Sequence, residues 1–315
     1  STISTVLPAP AGFRCAAASV LRDEPLSGTA STVRAFLLVE HPGPWGIDAL
    51  RDARLPDGLD ERLRDRARAA GVRVLLVRRS RRDPSTRPRV LAAHAHPHHP
   101  WLEAGQVDDL HELLDLALAA LRAGRSVGLP AAEGPVLCVC THGRHDACCA
   151  ERGRPVAAAL ALARPAASWE VSHIGGDRFA GNLLVLPHGL YYGRLSPEDA
   201  VAVADAHDRG HLVLDHLRGR SGLPMPVQYA EIALRRELGE TRVEALRWTH
   251  RSVAGDTTTA RFAHAATGTA YDVVVRTVAD GGGEHQLTCR ASRANPAPRH
   301  ELVSIDPSPA PGQSR

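Results

Sequence analysis

The sequence predicts an α/β protein that ends in a small α+β module. Three observations carry this. Short apolar runs at residues 33–40 (VRAFLLVE), 72–78 (VRVLLVR), 136–140 (VLCVC) and 182–186 (NLLVL) read as buried strands. Segments with helical spacing lie between them, at 59–70, 107–123 and 151–163. Beyond residue 228 a helix precedes four alternating segments with a tight turn at 280–283, the pattern of a small sheet with one helix.

Taken in order, residues 1–30 look irregular, punctuated by Pro8, Pro10, Pro25 and Gly28. The first strand, 33–40, ends in the turn-rich HPGPWG. Charged faces flank the helix at 59–70, and 72–78 is a second buried strand. Residues 79–88 form a basic polar loop, 90–93 a third strand, and 94–101 (HAHPHHPW) a turn broken by proline. Leu110, Leu113, Leu114, Ala117 and Leu121 make 107–123 an amphipathic helix. Gly134-Pro135 opens a new unit: the strand 136–140, a Cys- and His-rich loop, the helix 151–163, an extended piece at 169–172 and a hairpin at 182–195. Ser196 with Pro197 reads as an N-cap with proline at N1. A helix at 228–239 and strands at 243–250, 258–264, 269–278 and 286–291 complete the chain. The expected organisation is an N-terminal α/β region at 1–130, a central domain at 131–226, the small module at 227–296 and a mobile Pro-rich tail at 297–315. The sequence shows no convincing internal repeat.

Composition narrows the function. Of 315 residues 43% are hydrophobic and 23% charged, as in ordinary globular proteins. A net charge of +3 is too small to argue for nucleic acid. All the basic residues are arginine, which excludes a Schiff-base lysine and a lysine-dependent phosphate loop. No apolar run approaches the ~18–20 residues of a membrane span. Residues 1–13 lack a basic stretch followed by an apolar one, so the expected location is cytoplasmic, where structural disulfides are rare. Four of the six cysteines, Cys138, Cys140, Cys148 and Cys149, crowd together, whereas Cys15 and Cys289 stand apart. Crowding of this kind points to metal or redox chemistry.

The chemistry-bearing stretch is CVCTHGRHDACCAERG at 138–153, followed by SHIGGDRFAGN at 172–182. Two thiolates on one loop and a His–Asp pair on another can close a four-coordinate site. Thiolate suits iron–sulfur and zinc alike, and imidazole suits both. The Gly175-Gly176 step allows a tight loop between His173 and Asp177. Cys138 and Cys140 are expected on opposite faces of their strand and therefore not as a chelating pair. Of the adjacent Cys148 and Cys149, one is expected to ligate. Spacing alone leaves the metal open between iron and zinc.

These stretches, with the continuation NLLVLPHGLYYGRL, resemble the sucrase/ferredoxin-like family. The resemblance is specific over residues 136–195 and extends less sharply over 28–240. It implies a thioredoxin-like ferredoxin domain carrying a [2Fe–2S] cluster. Cys140 matches a ligand that ends the first strand, and Cys149 one that opens a C-A-x-x-G step into the first helix. His173 and Asp177 match a later ligand pair, which in one branch of the family is H-x3-H. This chain departs from that pattern at Asp177, a harder ligand, so Cys289, His142, His145 and Cys148 stand as alternatives for the fourth position. The role implied is a non-catalytic electron carrier or redox sensor with a redox partner protein, and with neither nucleic acid nor membrane as partner. A zinc-stabilised binding module and a thiol–disulfide protein are the competing readings; the latter lacks a C-x-x-C motif. Glycoside hydrolysis needs two carboxylates facing a sugar cleft, and Asp146, Glu151 and Asp177 make no recognisable pair.

Plainer roles are expected elsewhere. Cys138 and Cys15 read as core thiols, Trp45 as a packing anchor and the HAHPHHP stretch as a solvated loop. The RRSRR run at 78–82 reads as a solvated face, with docking of an acidic partner as the alternative.

Overall fold

The computed structural model describes residues 12–79 and 87–308. Residues 1–11, 80–86 and 309–315 lie outside these, and with them the end of the basic run at 78–82. The α/β expectation is met by a curled ten-stranded sheet. Its strands are β1 (Ala35–Glu40), β2 (Arg73–Arg78), β3 (Arg89–His94), β4 (Trp101–Gln106), β5 (Ala131–Ala132), β6 (Val136–Cys140), β7 (Ser168–Val171), β8 (Leu183–Leu186), β9 (Leu190–Tyr192) and β10 (Leu217–Arg220). They run in the order β10-β9-β8-β6-β7-β2-β1-β3-β4-β5.

That order contains a structural repeat the sequence hides. The helices are α1 (Cys15–Leu21), α2 (Ala49–Asp52), α3 (Leu59–Ala70), α4 (Leu118–Arg122), α5 (Ala147–Ala163), α6 (Pro197–Asp208) and α7 (Met225–Leu238). In the first half β1 pairs parallel with β2 across α3, then β3 and β4 add antiparallel on the other side of β1. In the second half β6 pairs parallel with β7 across α5, and β8 and β9 add in the same way. This second unit, a parallel β-α-β step followed by a hairpin, is the thioredoxin-like arrangement the resemblance implied. The halves meet where β2 pairs antiparallel with β7, through Val77–Val171 and Arg78–Glu170. One sheet therefore runs through both the expected 1–130 region and the expected central domain.

Strand alternation explains the layers. Leu37 and Val39 point to α3 and α4, and Leu137 and Val139 point to α5 and α6. Phe36, Leu38, Cys138, Cys140, Leu184 and Tyr191 line the opposite face in one cluster. Each fully buried side chain of this size contributes roughly 1.5–3 kcal/mol. Cys138 and Cys140 thus share a face, contrary to expectation. Side chains two apart on a strand repeat their direction. Distance along the strand separates them: Cys138 is sealed within the sheet, its thiol pushed up to about 12 by burial, while Cys140 ends β6.

Four further expectations are corrected. The helix at 107–123 is broken into a 3-10 turn (Leu110–Asp115), closed by an Asp109–Glu112 capping box, and the short α4; extended Leu116 separates them. Residues 15–21 are helical, not irregular. The segment 286–291 is a turn, because the Cys289 N–H bonds the Asp146 carboxylate at 2.8 Å and joins no ladder. The tail expected from 297 supplies a nine-residue strand. It completes a four-stranded antiparallel sheet with β11 (Leu246–Ala254), β12 (Thr257–His264) and β13 (Ala270–Val278); after two short strands, β14 (Glu284–His285) and β15 (Asn295–Pro296), it is β16 (Arg299–Pro307). α7 packs Val227, Ala230 and Leu234 against Phe262, Val273 and Val275 of that sheet. Trp45 is buried as expected, its indole N–H bonded to the His41 carbonyl at 2.9 Å.

Candidate metal centre

The site lies where β6 and β7 end and α5 begins. β6 delivers Cys140, the loop 141–146 turns back, and Asp146 caps α5 by accepting the Cys148 N–H at 2.9 Å. Cys149 therefore stands in the first helical turn. α5 can sit this close to β6 because of Gly153: a Cβ there would run into the Cys140 carbonyl oxygen. After β7 the chain passes His173 and turns through Gly175 (φ 97°) and Gly176 (φ 77°) into a 3-10 turn that starts at Asp177.

Three of the four residues singled out from the sequence are in direct contact. Asp177 Oδ1 is 3.2 Å from Cys149 Sγ and 3.0 Å from His173 Nδ1. Cys140 and Cys149 lie in one buried cluster, and the neighbouring Cys140 thiol together with burial pushes the Cys149 thiol well up. Burial would raise the Asp177 carboxyl, but the imidazoles of His145 and His173 against it outweigh this and hold the group below the usual carboxylate range. The His145 ring stacks on His173 with centroids 3.8 Å apart, and its Nε2 is 3.4 Å from Asp177 Oδ2. Asp177 Oδ2 is buried and makes no hydrogen bond. Two sulfurs, an imidazole nitrogen and an under-bonded carboxylate oxygen suit a thiophilic metal centre.

The other candidates for the fourth position fall in different places. His145 joins His173 and Asp177 within metal-ligand distance. Both ring nitrogens of His142 are engaged: Nδ1 accepts the His173 N–H at 3.1 Å, and Nε2 is 2.7 Å from the Gly46 carbonyl. His142 therefore orients the His173 loop. Cys148 and Cys289 gather with Cys15 and Asp146 in a second cluster.

Two residues absent from the sequence reading hold the loop from below. Arg218, fully buried on β10, donates to the carbonyls of Gly175 and Thr29 and to Asn182 Oδ1, at 3.1, 2.7 and 2.9 Å. Asn182 in turn donates to the Gly176 carbonyl at 2.8 Å. Burial lowers the Arg218 guanidinium to about 10. Their only local trace was an Arg in the L-R-G-R strand and an Asn opening N-L-L-V-L. The imidazoles of His145 and His173 face a cleft of about 710 Å³ that is also lined by Arg64, Arg68, Arg73 and Arg122.

Fold and site together define an α/β protein in which His145, His173 and Asp177 lie within metal-ligand distance of one another, with the Cys149 thiol beside Asp177. The sequence profile of the family described as sucrase/ferredoxin-like matches residues 26–219, well over half of the chain, and the protein belongs to that family. No curated protein and no solved structure matches it. Among the described residues no helix is long and apolar enough to cross a membrane.

Proposed function

We propose that the protein is a one-electron carrier or redox sensor whose [2Fe–2S] cluster is held by Cys140, Cys149, His173 and Asp177. The observation that carries this reading is the approach of Cys149 Sγ and His173 Nδ1 to the same Asp177 oxygen, beside Cys140. Family membership turns a general metal site toward iron–sulfur. When bound, the cluster supplies reversible one-electron transfer. The protein's part is to set the potential and access. Imidazole in place of thiolate removes a negative charge and raises the potential relative to all-cysteine ferredoxins. His142 fixes the His173 backbone, and Arg218 and Asn182 fix the glycine turn between the two ligands. Aligned donors of this kind limit rearrangement at the site.

The cleft over His145 and His173 gives the route outward. Its four arginines suit an acidic surface on a redox partner protein, since complementary charge speeds encounter. The test is anaerobic purification followed by iron, sulfide and zinc analysis of the wild type, Cys140→Ser and Cys149→Ser. The reading requires iron and acid-labile sulfide in equal amounts in the wild type and their loss in both variants. A colourless wild type holding zinc at this site contradicts it and favours a zinc-stabilised module.

A further inference from the structure

We infer that Cys15, Cys148, Cys289 and Asp146 form a second metal centre, a structural zinc site of three thiolates and one carboxylate. It is separate from the proposed cluster and does not depend on it.

The distances between the ligand atoms suit a tetrahedron. Bonds of about 2.3 Å to sulfur and about 2.0–2.2 Å to oxygen put tetrahedral S–S edges near about 3.8 Å and S–O edges near about 3.6 Å. Cys148 Sγ lies 3.4 Å and Cys15 Sγ 3.6 Å from Cys289 Sγ. Cys15 Sγ lies 3.6 and 3.5 Å from the two Asp146 oxygens. The four ligand atoms are all within 4.8 Å of one another. A zinc ion drawing them in requires only small shifts of side chains already aimed at one point.

Charge makes the same demand. Asp146 is wholly buried, as are Cys15 and Cys148. Its carboxylate accepts the N–H groups of Cys148 and Cys289 and faces the Cys15 thiol. Among the described residues it joins no ion pair, and a buried, unpaired carboxylate is costly. A divalent cation pairs with the carboxylate and offsets part of the charge of the thiolates it recruits. The two N–H bonds occupy only part of the lone-pair capacity of the carboxylate, so a metal bond remains open to it. The Cys15 N–H also points at Cys289 Sγ, 3.4 Å away, an arrangement that steadies a thiolate. Binding replaces the thiol protons: up to three protons leave to solvent as three sulfur–metal bonds form, with no change of oxidation state.

Such a site joins three parts of the chain that are remote in sequence. Cys15 begins α1, Cys148 lies in the first turn of α5, and Cys289 lies in the turn before β15. All four ligands are protein side chains and three are wholly buried, which suits a closed structural site more than a catalytic one. The metal would lock the helical turn that carries Cys149 and hold the C-terminal module beside it.

The test is metal analysis of the full chain purified anaerobically from zinc-supplemented cells, with zinc K-edge absorption on the same wild-type sample. One zinc per chain, bound by three sulfurs at about 2.3 Å and one oxygen, is expected. Cys289→Ser should lose that zinc and keep iron and sulfide; Cys140→Ser should lose iron and sulfide and keep the zinc. Two zincs and no iron in the wild type, falling to one in Cys289→Ser, would support this site while overturning the electron-carrier reading. A wild type without zinc overturns the inference, whether its three thiols alkylate freely, two of them form a disulfide, or iron occupies the cluster instead. The wild-type absorption measurement decides even if Cys289→Ser fails to fold.

Discussion

Cys148 and Cys149 are consecutive in the chain, yet their sulfurs serve different clusters: Cys149 Sγ is 3.2 Å from Asp177 Oδ1, and Cys148 Sγ is 3.4 Å from Cys289 Sγ. Adjacent residues in a helix diverge by about 100° around its axis, because one turn takes 3.6 residues. The first turn of α5 therefore faces two ways, toward β6 with one thiol and toward α1 with the other.

That divergence predicts unequal effects of two neighbouring substitutions. Cys149→Ser should abolish iron and sulfide incorporation. Cys148→Ser should leave both in place, and a visible spectrum of each variant beside the wild type checks this.

His142 should act through His173. Its Nδ1 holds the His173 N–H, so His142→Ala frees the loop without removing a ligand. Residues that orient ligands typically account for about 10–100-fold in metal affinity. Faster iron loss to a chelator, with the as-purified spectrum little changed, is the expected outcome.

Gly153 should resist enlargement. The added methyl of Gly153→Ala meets the Cys140 carbonyl, a backbone atom that cannot turn aside. Overpacking of this kind costs about 1–3 kcal/mol. Denaturant unfolding should show a lower midpoint with an unchanged slope.

Glu231 should govern part of the acid limb of stability. It accepts from Arg235 Nε at 2.8 Å and lies 3.3 Å from Arg220 Nη2, where α7 meets β10. Burial opposes its charge, but Arg220 and Arg235 prevail and hold its carboxyl below the ordinary glutamate value. A depressed folded value means that this stabilisation is full above the unfolded value, about 4.3, and is lost as pH falls through the folded one. Glu231→Gln leaves two buried guanidinium groups uncompensated and should cost about 3–5 kcal/mol near neutrality. Its deficit against the wild type should shrink as pH drops below about 4, which unfolding curves across that range would measure.

The sequence made local features legible and remote ones obscure. β1, β2, β6 and β8 stood out because buried strands are unbroken apolar runs. Cys140, Cys149, His173 and Asp177 stood out because each lies in a short, dense motif. The second cluster did not, since Cys15 and Cys289 are 274 residues apart and each looks solitary in its own surroundings. β16 was missed for a different reason: most of its residues are exposed, so its sequence carries little apolar alternation and reads as part of a tail. Arg218 was hidden because the sequence marked no strand at its position and a lone arginine gives no sign of burial, whereas here backbone carbonyls at the site satisfy it. The break in 107–123 was invisible because leucine spacing suits both a continuous helix and two short turns on one apolar surface.

The most direct test of the proposed centre is pulsed electron paramagnetic resonance on the dithionite-reduced protein labelled with ¹⁵N-histidine. The account predicts a spin-½ iron–sulfur signal coupled to a single histidine nitrogen, retained in His145→Ala and absent from Cys140→Ser. A protein with no such signal, or a signal with no histidine coupling, would contradict ligation by His173 beside Cys140, Cys149 and Asp177.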